Sequence, residues 1–579
     1  MGRKSWWATR CKNLKMRNDH TYDAIVVGSG ITGGWAAKEL TENSLNTLVL
    51  ERGLDVKHVK DYPTTFKAPW DFEYRKFDTL KEKEEYHIQH HKYNFSASSK
   101  HFFVNDKDHP IIHPKEKPFR WFRGYQMGGR SLIWGRGAFR MGDLDFKANL
   151  KDGIGVDWPI RYNDIAPWYD YVEKFIGVCG TKENLTQFPD GWFLPRFELN
   201  RAEQVLKKRL ESHYSDRKLV PNRAAHITKA AKDQFKGRPE CQSRNVCHTG
   251  CPFGAYFSSN SSTLPAAHDT GRLTLKSHAI VKTVIYDKEE NKAIGVQVID
   301  ANTKETTEYF ARVIFLCAST LASTGLLLNS KTSEFSEGLA NSSGTLGHYL
   351  MDHHKNISAQ GELDGYEDRI YRGFKPISVM IPRYRNLNGE QQMDYLRGYA
   401  TWAETSRHGI DFNKVGIGEE FKKSISLPSP WKVSMQSYGE CLPYHDNKVE
   451  LDKVRKDPWG LPLLKVSADF KENETLMRKD MKQQLGEMME VAGLKNIKVK
   501  EGVNIQGNST HEMGTARMGR DPKTSVLNGF NQCYDVPNLF VTDGSCNPSS
   551  GCLSPSLTYM ALTARACNYA VTQLKEGKI

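Results

Sequence analysis

Residues 22–53 read YDAIVVGSGITGGWAAKELTENSLNTLVLERG, and this stretch decides the fold class. Its first apolar run, residues 24–27, is typical of a buried parallel strand, and residues 35–40 predict the start of a helix. A second apolar run, Thr47–Leu50, ends at an acidic residue. A strand, a glycine-rich turn, a helix and a second strand in this order predict an α/β fold with a Rossmann-like parallel sheet.

Three glycines stand between the first strand and the helix at G-x-G-x-x-G spacing: Gly28, Gly30 and Gly33. The first allows a tight turn, the second lets the backbone approach a pyrophosphate at the helix N-terminus, and the third lets helix and strand pack closely. Glu51 ends the second strand, where an acidic side chain would accept hydrogen bonds from a ribose hydroxyl. Together these features predict a dinucleotide site.

Three further segments carry a resemblance to a known family. They are QMGGRSLIWGRG (126–137), STHEMGTARMG (509–519) and NLFVTDGSCNPSSGCLSPSLTYMALTARACNYAV (538–571). With the N-terminal stretch, they resemble the glucose-methanol-choline (GMC) oxidoreductases, and the H-x-x-G-T block beside the C-terminal D-G is the most specific part. The resemblance implies FAD, a discontinuous flavin domain and a separate substrate domain built on a sheet, so that the whole is α+β.

The family pattern assigns residues of this chain to each part of FAD. It gives the three glycines and Glu51 to the ADP half, and it places Val281 on a strand whose backbone touches the adenine. The loop beside the isoalloxazine would contain Gly128, Gly129 and Ser131, and the pyrophosphate and ribityl chain would contact Asp543 and Gly544. Some relatives attach the flavin through a histidine in that loop. Because Ile133 stands there, the resemblance implies noncovalent FAD.

His511, in the H-x-x-G-T block, is the candidate catalytic base. Oxidation of a secondary alcohol removes a proton from oxygen and a hydride from carbon, so a base must lie within hydrogen-bond reach of the hydroxyl. A neutral imidazole suits this task because its ordinary pKa is about 6.5. The segment GHYLMDHHKN (347–356) resembles a family segment near the active site. His353 or His354 is therefore a candidate for the pocket wall, with core packing as the alternative.

At Ser554 the chain departs from the family, which has asparagine in the corresponding N-P-[ST]-x-T motif. Serine has a shorter reach than an amide. Ser554 therefore either holds substrate through water, as a second catalytic residue, or serves as the N-cap of a helix predicted to begin at Pro555. The capping role is the stronger expectation. The unpaired N–H groups of that helix start would stabilise negative charge on a reduced flavin ring.

Three of the 11 cysteines are clustered: Cys241, Cys247 and Cys251 lie in CQSRNVCHTGCP (241–252). The pattern allows a structural metal such as zinc with His248 as a fourth ligand, a disulfide with one thiol left over, or an iron–sulfur cluster. The C-x5-C-x3-C spacing followed by PFGA is similar to that of the catalytic subunits of FAD glucose dehydrogenase complexes. That resemblance implies that the three cysteines hold a 3Fe-4S cluster.

Composition limits the partners. The 81 Lys and Arg exceed the 68 Asp and Glu, giving a formal charge of +13, but they are scattered among acidic residues and form no nucleic-acid-binding module. No apolar run is long enough to predict a transmembrane segment. The basic start MGRKSWWATRCKNLKMRNDH lacks the apolar core of a secretory signal.

The resemblance extends to partners and location. In the complexes that this chain resembles, a small companion subunit carries the export signal and a cytochrome accepts the electrons. The expectation is therefore a periplasmic enzyme exported with its companion. The alternative is a cytoplasmic enzyme that uses a soluble acceptor.

The domain prediction is discontinuous. Residues 1–150, 245–350 and 500–579 are assigned to the FAD-binding domain, and residues 151–244 and 351–499 to the substrate-binding domain, with the Cys241–Cys251 loop at the boundary. The segment 445–470 has the pattern of a hairpin and 471–493 that of a helix.

Two classes of function follow. The first is an FAD-dependent dehydrogenase that oxidises a secondary hydroxyl of a sugar or glycoside, close in motif to bacterial glucoside 3-dehydrogenases and to the FAD glucose and gluconate dehydrogenases. The second is a GMC flavoprotein oxidase that uses O2, or a lyase, in which the cysteine loop is only structural. Iron and sulfide content separates the two classes.

Overall fold

The computed structural model describes residues 20–76, 78–231, 233–366, 377–387, 391–407, 415–426 and 429–579. The N-terminal stretch 1–19, on which the export expectation rests, lies outside these residues. The strands are β1 (Thr21–Val27), β2 (Thr47–Leu50), β3 (Val220–Pro221), β4 (Leu273–Lys276), β5 (Ala279–Asp287), β6 (Lys292–Asp300), β7 (Thr306–Leu316), β8 (His354–Leu363), β9 (Val379–Ile381), β10 (Tyr399–Ser406), β11 (Trp431–Gly439), β12 (Lys448–Lys456), β13 (Pro462–Ser467), β14 (Lys495–Glu501) and β15 (Leu539–Val541).

The α-helices lie between these strands and after the last of them. They are α1 (Ile31–Glu42), α2 (Leu80–Glu85), α3 (Asp143–Phe146), α4 (Ala148–Asp152), α5 (Tyr162–Ile176), α6 (Arg201–His213), α7 (Thr263–Asp269), α8 (Thr320–Asn329), α9 (Glu419–Ser426), α10 (Glu472–Val491) and α11 (Ser556–Lys575). Among the described residues, no helix is both long and apolar enough to cross a lipid bilayer.

The first sheet has the order β4-β2-β1-β7-β6-β5, and β15 also pairs with β7. Strands β4, β2, β1, β7 and β15 run parallel, whereas β5 and β6 are antiparallel. Strand β1 is a continuous apolar run because helices cover both faces of the sheet. Ala24 and Val26 face α1, α7 and α11, while Ile25 and Val27 face the core that contains α5 and α8. The predicted α/β class and the parallel sheet are confirmed.

Two predicted boundaries differ from the structure. Helix α1 begins directly after Gly30, earlier than residue 35, so that Gly33 lies within its first turn. Helix α5 lies in the range predicted for the substrate-binding domain, yet its apolar face packs in the core of the first sheet through Ile165, Tyr169 and Val172. The periodicity of a helix gives its buried face but not its packing partner.

The second sheet has the order β14-β8-β11-β10-β9-β3 and is antiparallel. One face of its long strands packs on α6 and α10, with Val433 and Met435 among the buried residues. Residues of β10 and β11 alternate between buried and partly exposed, which leaves the other face free to line a cavity. The predicted hairpin is present as the antiparallel pair β12–β13, and the predicted helix is α10.

Candidate active site

An elongated cavity runs along the carboxyl ends of the parallel strands, where ligands of open α/β sheets bind. Its lining contains Glu51 and Val281 as well as Thr510 and Glu512, which flank His511. Of the residues predicted for FAD, the lining also contains Gly28, Gly30, Gly129, Ser131, Asp543 and Gly544. The structure therefore brings residues from both ends of the chain around one cavity.

The three N-terminal glycines have different surroundings. Gly28 has φ +96°, and a Cβ there would lie 2.6 Å from the Cys317 carbonyl oxygen. A Cβ on Gly33 would lie 1.8 Å from the Gly28 carbonyl oxygen, so α1 and the turn after β1 touch at this point. Gly30 has open space on its Cβ side. The side of Gly30 on which a Cβ would lie is thus open, whereas protein atoms fill the same side of Gly28 and Gly33.

Ser29 joins the two predicted halves of the cofactor site. Its backbone N–H and its hydroxyl both donate to Glu51 Oε2, and its Oγ accepts from the N–H of Gly128 at 2.9 Å. Glu51 Oε1 accepts from Gly53 N at 3.0 Å. Burial raises the pKa of Glu51, and these hydrogen bonds oppose that rise. The network holds the Glu51 carboxylate beside the loop that begins at Gly128.

Asp543 and Gly544 follow the end of strand β15 and contact neighbouring protein residues. Ser323 and Ser545 donate hydroxyl hydrogen bonds to the two carboxylate oxygens of Asp543. A Cβ on Gly544 would lie 2.4 Å from the Glu512 carbonyl oxygen and 2.6 Å from Thr320 Oγ1. Only glycine fits there, and its backbone therefore borders the cavity without a side chain.

His511 lies half-buried beside the fully buried His353. Their Nδ1 atoms are 2.8 Å apart, and His353 Nε2 lies 2.8 Å from the Gly551 carbonyl oxygen. Burial first, and then the nearby His353, Lys92, Lys355 and Arg130, hold the pKa of His511 well below its ordinary value. His511 is therefore neutral at pH 7, which is the form that accepts a proton.

The other candidate histidine, His354, faces away from His511. Its Nε2 lies 3.3 Å from Met477 Sδ of helix α10, and burial holds the pKa of His354 well below its ordinary value. Of the two predicted positions, the structure brings His353 to His511 and packs His354 in the core of the second sheet.

Charged neighbours brace the loop that carries His511. Arg130, in the loop after Gly129, makes a two-pronged ion pair with Glu512, with N–O distances of 2.9 and 3.3 Å. Lys92 Nζ donates to Thr510 Oγ1 at 3.0 Å. These contacts fix the backbone on both sides of His511 relative to the 126–137 loop.

Aromatic and polar side chains form a wall near this site. Trp402 of β10 and Tyr438 of β11 are in edge contact, with ring centroids 4.7 Å apart. Tyr93 is 69% exposed, yet its pKa is raised because protein atoms displace water around it and Glu404 lies nearby. The Glu404 carboxylate has no hydrogen-bond or ion-pair partner among the described residues.

The structure corrects the capping role of Ser554. Helix α11 begins at Ser556, Pro555 is the residue that precedes it, and no side chain caps the helix. Proline takes this place because its fixed φ suits the start of a helix. Ser554 is half-buried and makes no side-chain hydrogen bond within the described residues.

Ser554→Ala is therefore expected to change the free energy of unfolding by less than about 0.5 kcal/mol, because there is no cap to lose. Thermal denaturation of the FAD-bound protein measures this. The turnover of the variant is expected to fall far less than that of a His511 variant. A loss as large as that of His511→Ala, with an unchanged melting temperature, would show that Ser554 contacts the substrate.

The cysteine loop packs beside this site. Cys241, Cys247 and Cys251 are all free thiols, and Cys247 is the most buried of the three. Burial raises the pKa of Cys241 and Cys247, the charge of Cys251 raises it further, and Arg136 lowers it. In the described part of the chain, no group of three His, Cys, Asp or Glu side chains, this trio included, is arranged to hold a single metal ion.

Arg136 adds a positive charge to the cysteine loop. Its guanidinium is 5% exposed, and its Nε and one Nη have no hydrogen-bond partner. An unpaired buried cation is costly, and a negative group beside it offsets that cost. Three thiolates would supply such a group.

Contacts connect the cysteine loop to the candidate active site. The ring of His248 meets the edge of Tyr93 at 5.7 Å. Asn94 Nδ2 donates to the carbonyl of Ile133 at 2.8 Å and lies 3.5 Å from His248 Nδ1. The loop therefore packs directly on the segment that resemblance places beside the isoalloxazine.

Several residues of this site were missed by sequence reasoning. Ser29 lies inside the G-x-G motif and carried no signal of its own. Arg130 is adjacent to a predicted residue, but the sequence does not show its ion-pair partner because Glu512 is distant along the chain. Tyr93, Trp402 and Glu404 belong to no sequence motif. Only the alternation of residue types along β10 indicates that one face of this strand is exposed.

Comparisons with known proteins identify related sequences. Two family models described as GMC oxidoreductase match the chain, one over residues 22–355 and the other over residues 443–563. These ranges contain all the residues predicted for FAD as well as His511 and the cysteine loop.

Curated relatives match over nearly the whole chain. The fructose dehydrogenase large subunit of Gluconobacter japonicus is 24% identical, covering 96% of this chain and 98% of the relative. The gluconate 2-dehydrogenase flavoprotein of Pantoea cypripedii is 25% identical, covering 93% and 92%. Paromamine 6'-oxidase of Streptomyces fradiae is 24% identical, covering 95% and 91%. Dehydrogenases and oxidases are thus similar to this chain to the same degree.

A solved structure shares the fold. The crystal structure of pyridoxine 4-oxidase from Mesorbium loti superposes with a TM-score of 0.57 at 14% identity, covering 94% of this chain and 98% of that one. At this identity the likeness concerns the fold alone.

Proposed function

Because the chain belongs to the GMC oxidoreductase family, whose members are FAD enzymes acting on CH–OH groups, we propose that it oxidises a secondary hydroxyl of a sugar or glycoside. The C3 hydroxyl, giving a 3-keto sugar, is the preferred position. The observation that supports this most is the neutral His511 beside a cavity suited to a dinucleotide. The electrons then leave through a protein acceptor.

The residues of the cavity fit FAD. Open space at Gly30 and the close approach at Gly28 and Gly33 leave room for a pyrophosphate at the start of α1. Glu51 would accept from the ribose, the backbone at Val281 would contact the adenine, and Asp543 with Gly544 would border the ribityl chain. Bound FAD would supply the acceptor for a hydride from the substrate carbon. Ile133 offers no nucleophile, so the cofactor is held noncovalently.

The protein's own part in the reaction is to bind, orient and deprotonate. His511 takes the hydroxyl proton at its free ring nitrogen. Arg130 and Lys92 hold the backbone around His511 in place through Glu512 and Thr510. The unpaired N–H groups at the start of α11 favour negative charge on the reduced cofactor.

The aromatic and polar side chains near His511 favour a polyhydroxylated substrate. Rings such as Trp402 and Tyr438 pack against the apolar faces of a sugar, and carboxylates accept hydrogen bonds from its hydroxyls. Glu404 has an unengaged carboxylate in this place.

Glu404→Gln is expected to raise KM about tenfold for a glycoside substrate, because hydrogen bonds to a charged acceptor are stronger than those to an amide. The maximal rate of flavin reduction should change little. Glu308→Gln, an exposed position on β7, is the matched control, and steady-state kinetics of both variants measure the effect. An unchanged KM would remove Glu404 from the substrate site.

The cysteine loop is proposed to bind a 3Fe-4S cluster through Cys241, Cys247 and Cys251. Support comes from the three free thiols, the unpaired charge of Arg136 and the contact of His248 with Tyr93. The bridging sulfides of a cluster hold cysteines farther apart than a single metal ion does. Such a cluster supplies one-electron transfer, so the eventual acceptor is a cytochrome.

A small companion subunit that carries an export signal is the second proposed partner, which would place the enzyme in the periplasm. Support comes from the relative named as a large subunit. Expression with and without the neighbouring genes, followed by cell fractionation, tests this. Periplasmic protein when the chain is expressed alone, or no periplasmic protein with any neighbour, would contradict co-export.

The second candidate function is an oxidase that reduces O2, favoured by the similarity to paromamine 6'-oxidase. The test uses anaerobically purified protein and a panel of glycosides, sugar acids and polyols. Bleaching of the flavin absorbance identifies the substrate. The reduced protein is then given O2 or a c-type cytochrome, and the faster reoxidation assigns the class. A panel that bleaches no flavin would contradict sugar oxidation.

A further inference from the structure

We propose that His353 is a positioning residue that fixes the tautomer of His511, so that His511 presents an unprotonated Nε2 to the substrate hydroxyl. The inference rests on the alcohol oxidation proposed above and adds the group that prepares the base. It follows from two short contacts and the valence rules of imidazole.

The first contact sets the proton of His353. Its Nε2 lies 2.8 Å from the carbonyl oxygen of Gly551, and a carbonyl oxygen only accepts, so Nε2 carries the proton. Burial lowers the pKa of His353 to about 4, so the ring is neutral and has a single N–H. His353 Nδ1 therefore has a lone pair and no proton.

The second contact sets the proton of His511. Its Nδ1 lies 2.8 Å from His353 Nδ1, and the two rings are 79° apart. Because His353 Nδ1 has no proton, His511 Nδ1 must donate. A neutral His511 then has a lone pair on Nε2, which has no partner among the described residues and is not sealed from solvent.

The backbone holds both rings in this arrangement. The Asp352 carboxylate accepts from the N–H groups of Ser509 at 2.9 Å and His511 at 3.0 Å. Ser509 Oγ donates to the His353 carbonyl at 2.7 Å. Gly551 has φ +60°, a conformation that glycine adopts without strain and that aims its carbonyl at His353. Three separate segments of the chain thus hold the Gly551 carbonyl, His353 and His511 in this arrangement.

The consequence for the reaction concerns one proton. The hydroxyl proton passes to His511 Nε2, and the imidazolium keeps its Nδ1–H donated to the His353 lone pair. A hydrogen bond from a charged donor is stronger than one from a neutral donor. His353 therefore selects the reactive tautomer and holds the His511 ring during the proton transfer, in the way that a carboxylate orients histidine in a catalytic triad.

Two variants of the FAD-bound protein separate positioning from packing. His353→Leu keeps most of the volume but has no acceptor, and His353→Asn places an amide oxygen near the position of Nδ1. For His353→Leu we expect flavin reduction slower by about 10- to 100-fold, with KM nearly unchanged. His353→Asn should recover most of the rate. Equal losses in both variants would overturn the proposal.

A second readout does not depend on turnover. ¹⁵N NMR of histidine-labelled holoenzyme, with His511→Gln to assign the signals, should show a protonated Nδ1 and a bare Nε2 on His511, reversed in His353→Leu. The exposed His445→Leu is the control and should change neither readout. A protonated Nε2 in the unmodified protein would overturn the inference. If the tautomer is as expected and no alcohol reduces the flavin, the inference stands and the proposed reaction fails.

Discussion

His511→Ala is expected to bind FAD and to oxidise its alcohol substrate on the order of a hundredfold more slowly, or worse. The ring supplies the lone pair that takes the hydroxyl proton, and no other described side chain is placed to replace it. Lys92 and Lys355 lie near, and burial lowers the pKa of both, but Lys92 is engaged with Thr510 and Lys355 lies over the ring of Tyr438. Anaerobic stopped-flow measurement of flavin reduction gives the rate.

The FAD content and the melting temperature of His511→Ala serve as controls for folding. In the unmodified protein the rate should stay flat as the pH falls to 6.5, because the pKa of His511 lies well below that value and the base is active when deprotonated. The rate should fall only at more acid pH. Turnover of His511→Ala close to that of the unmodified protein would contradict the assignment of the base.

Cys247→Ser is expected to leave reduction of the flavin by substrate intact and to abolish electron transfer to a cytochrome. Cys247 is the most buried thiol of the loop, and the neighbouring His248 contacts Tyr93 near the candidate active site. A serine hydroxyl does not replace a thiolate as a ligand of iron–sulfur clusters. Stopped-flow flavin reduction and cytochrome reduction, measured on one preparation, separate the two steps.

The matched control for this variant is Cys533→Ser, which removes a buried thiol outside the loop. It should keep iron and sulfide content and cytochrome reduction. Unchanged cytochrome reduction by Cys247→Ser would refute the proposed electron path. Absence of iron and sulfide from the anaerobically purified protein would refute the cluster itself.

The fold was predictable wherever it depends on local pattern. The apolar runs of β1 and β2, the glycines between them and the hairpin β12–β13 can be read from spacing, because backbone geometry imposes it. The packing of α5 on the first sheet could not be read, since an amphipathic face does not name its partner.

The candidate site was predictable only in part, for the same reason. His511 lies in a recognisable block, but the contact of His511 with His353 joins residues 158 positions apart. The pattern around His353 allowed a pocket position or core packing, and only tertiary structure aims its Nδ1 at another ring. The capping role of Ser554 was wrong because Pro555 is the residue that directly precedes the helix. A serine followed by a proline in the sequence does not show which of the two directly precedes the helix.

Strand β15 joins the first sheet beside β7, through pairs such as Leu539↔Ile314, although β1 lies roughly 500 residues earlier. At about 5–20 residues per second, a ribosome needs roughly 25 to 100 seconds to travel from one strand to the other. During that time the early strands have no complete sheet to enter, and the chain lacks Asp543, Gly544 and His511. Acquisition of the cofactor therefore follows synthesis of almost the whole polypeptide, and a nascent chain released early would be a substrate for chaperones and proteases, never a partly active enzyme.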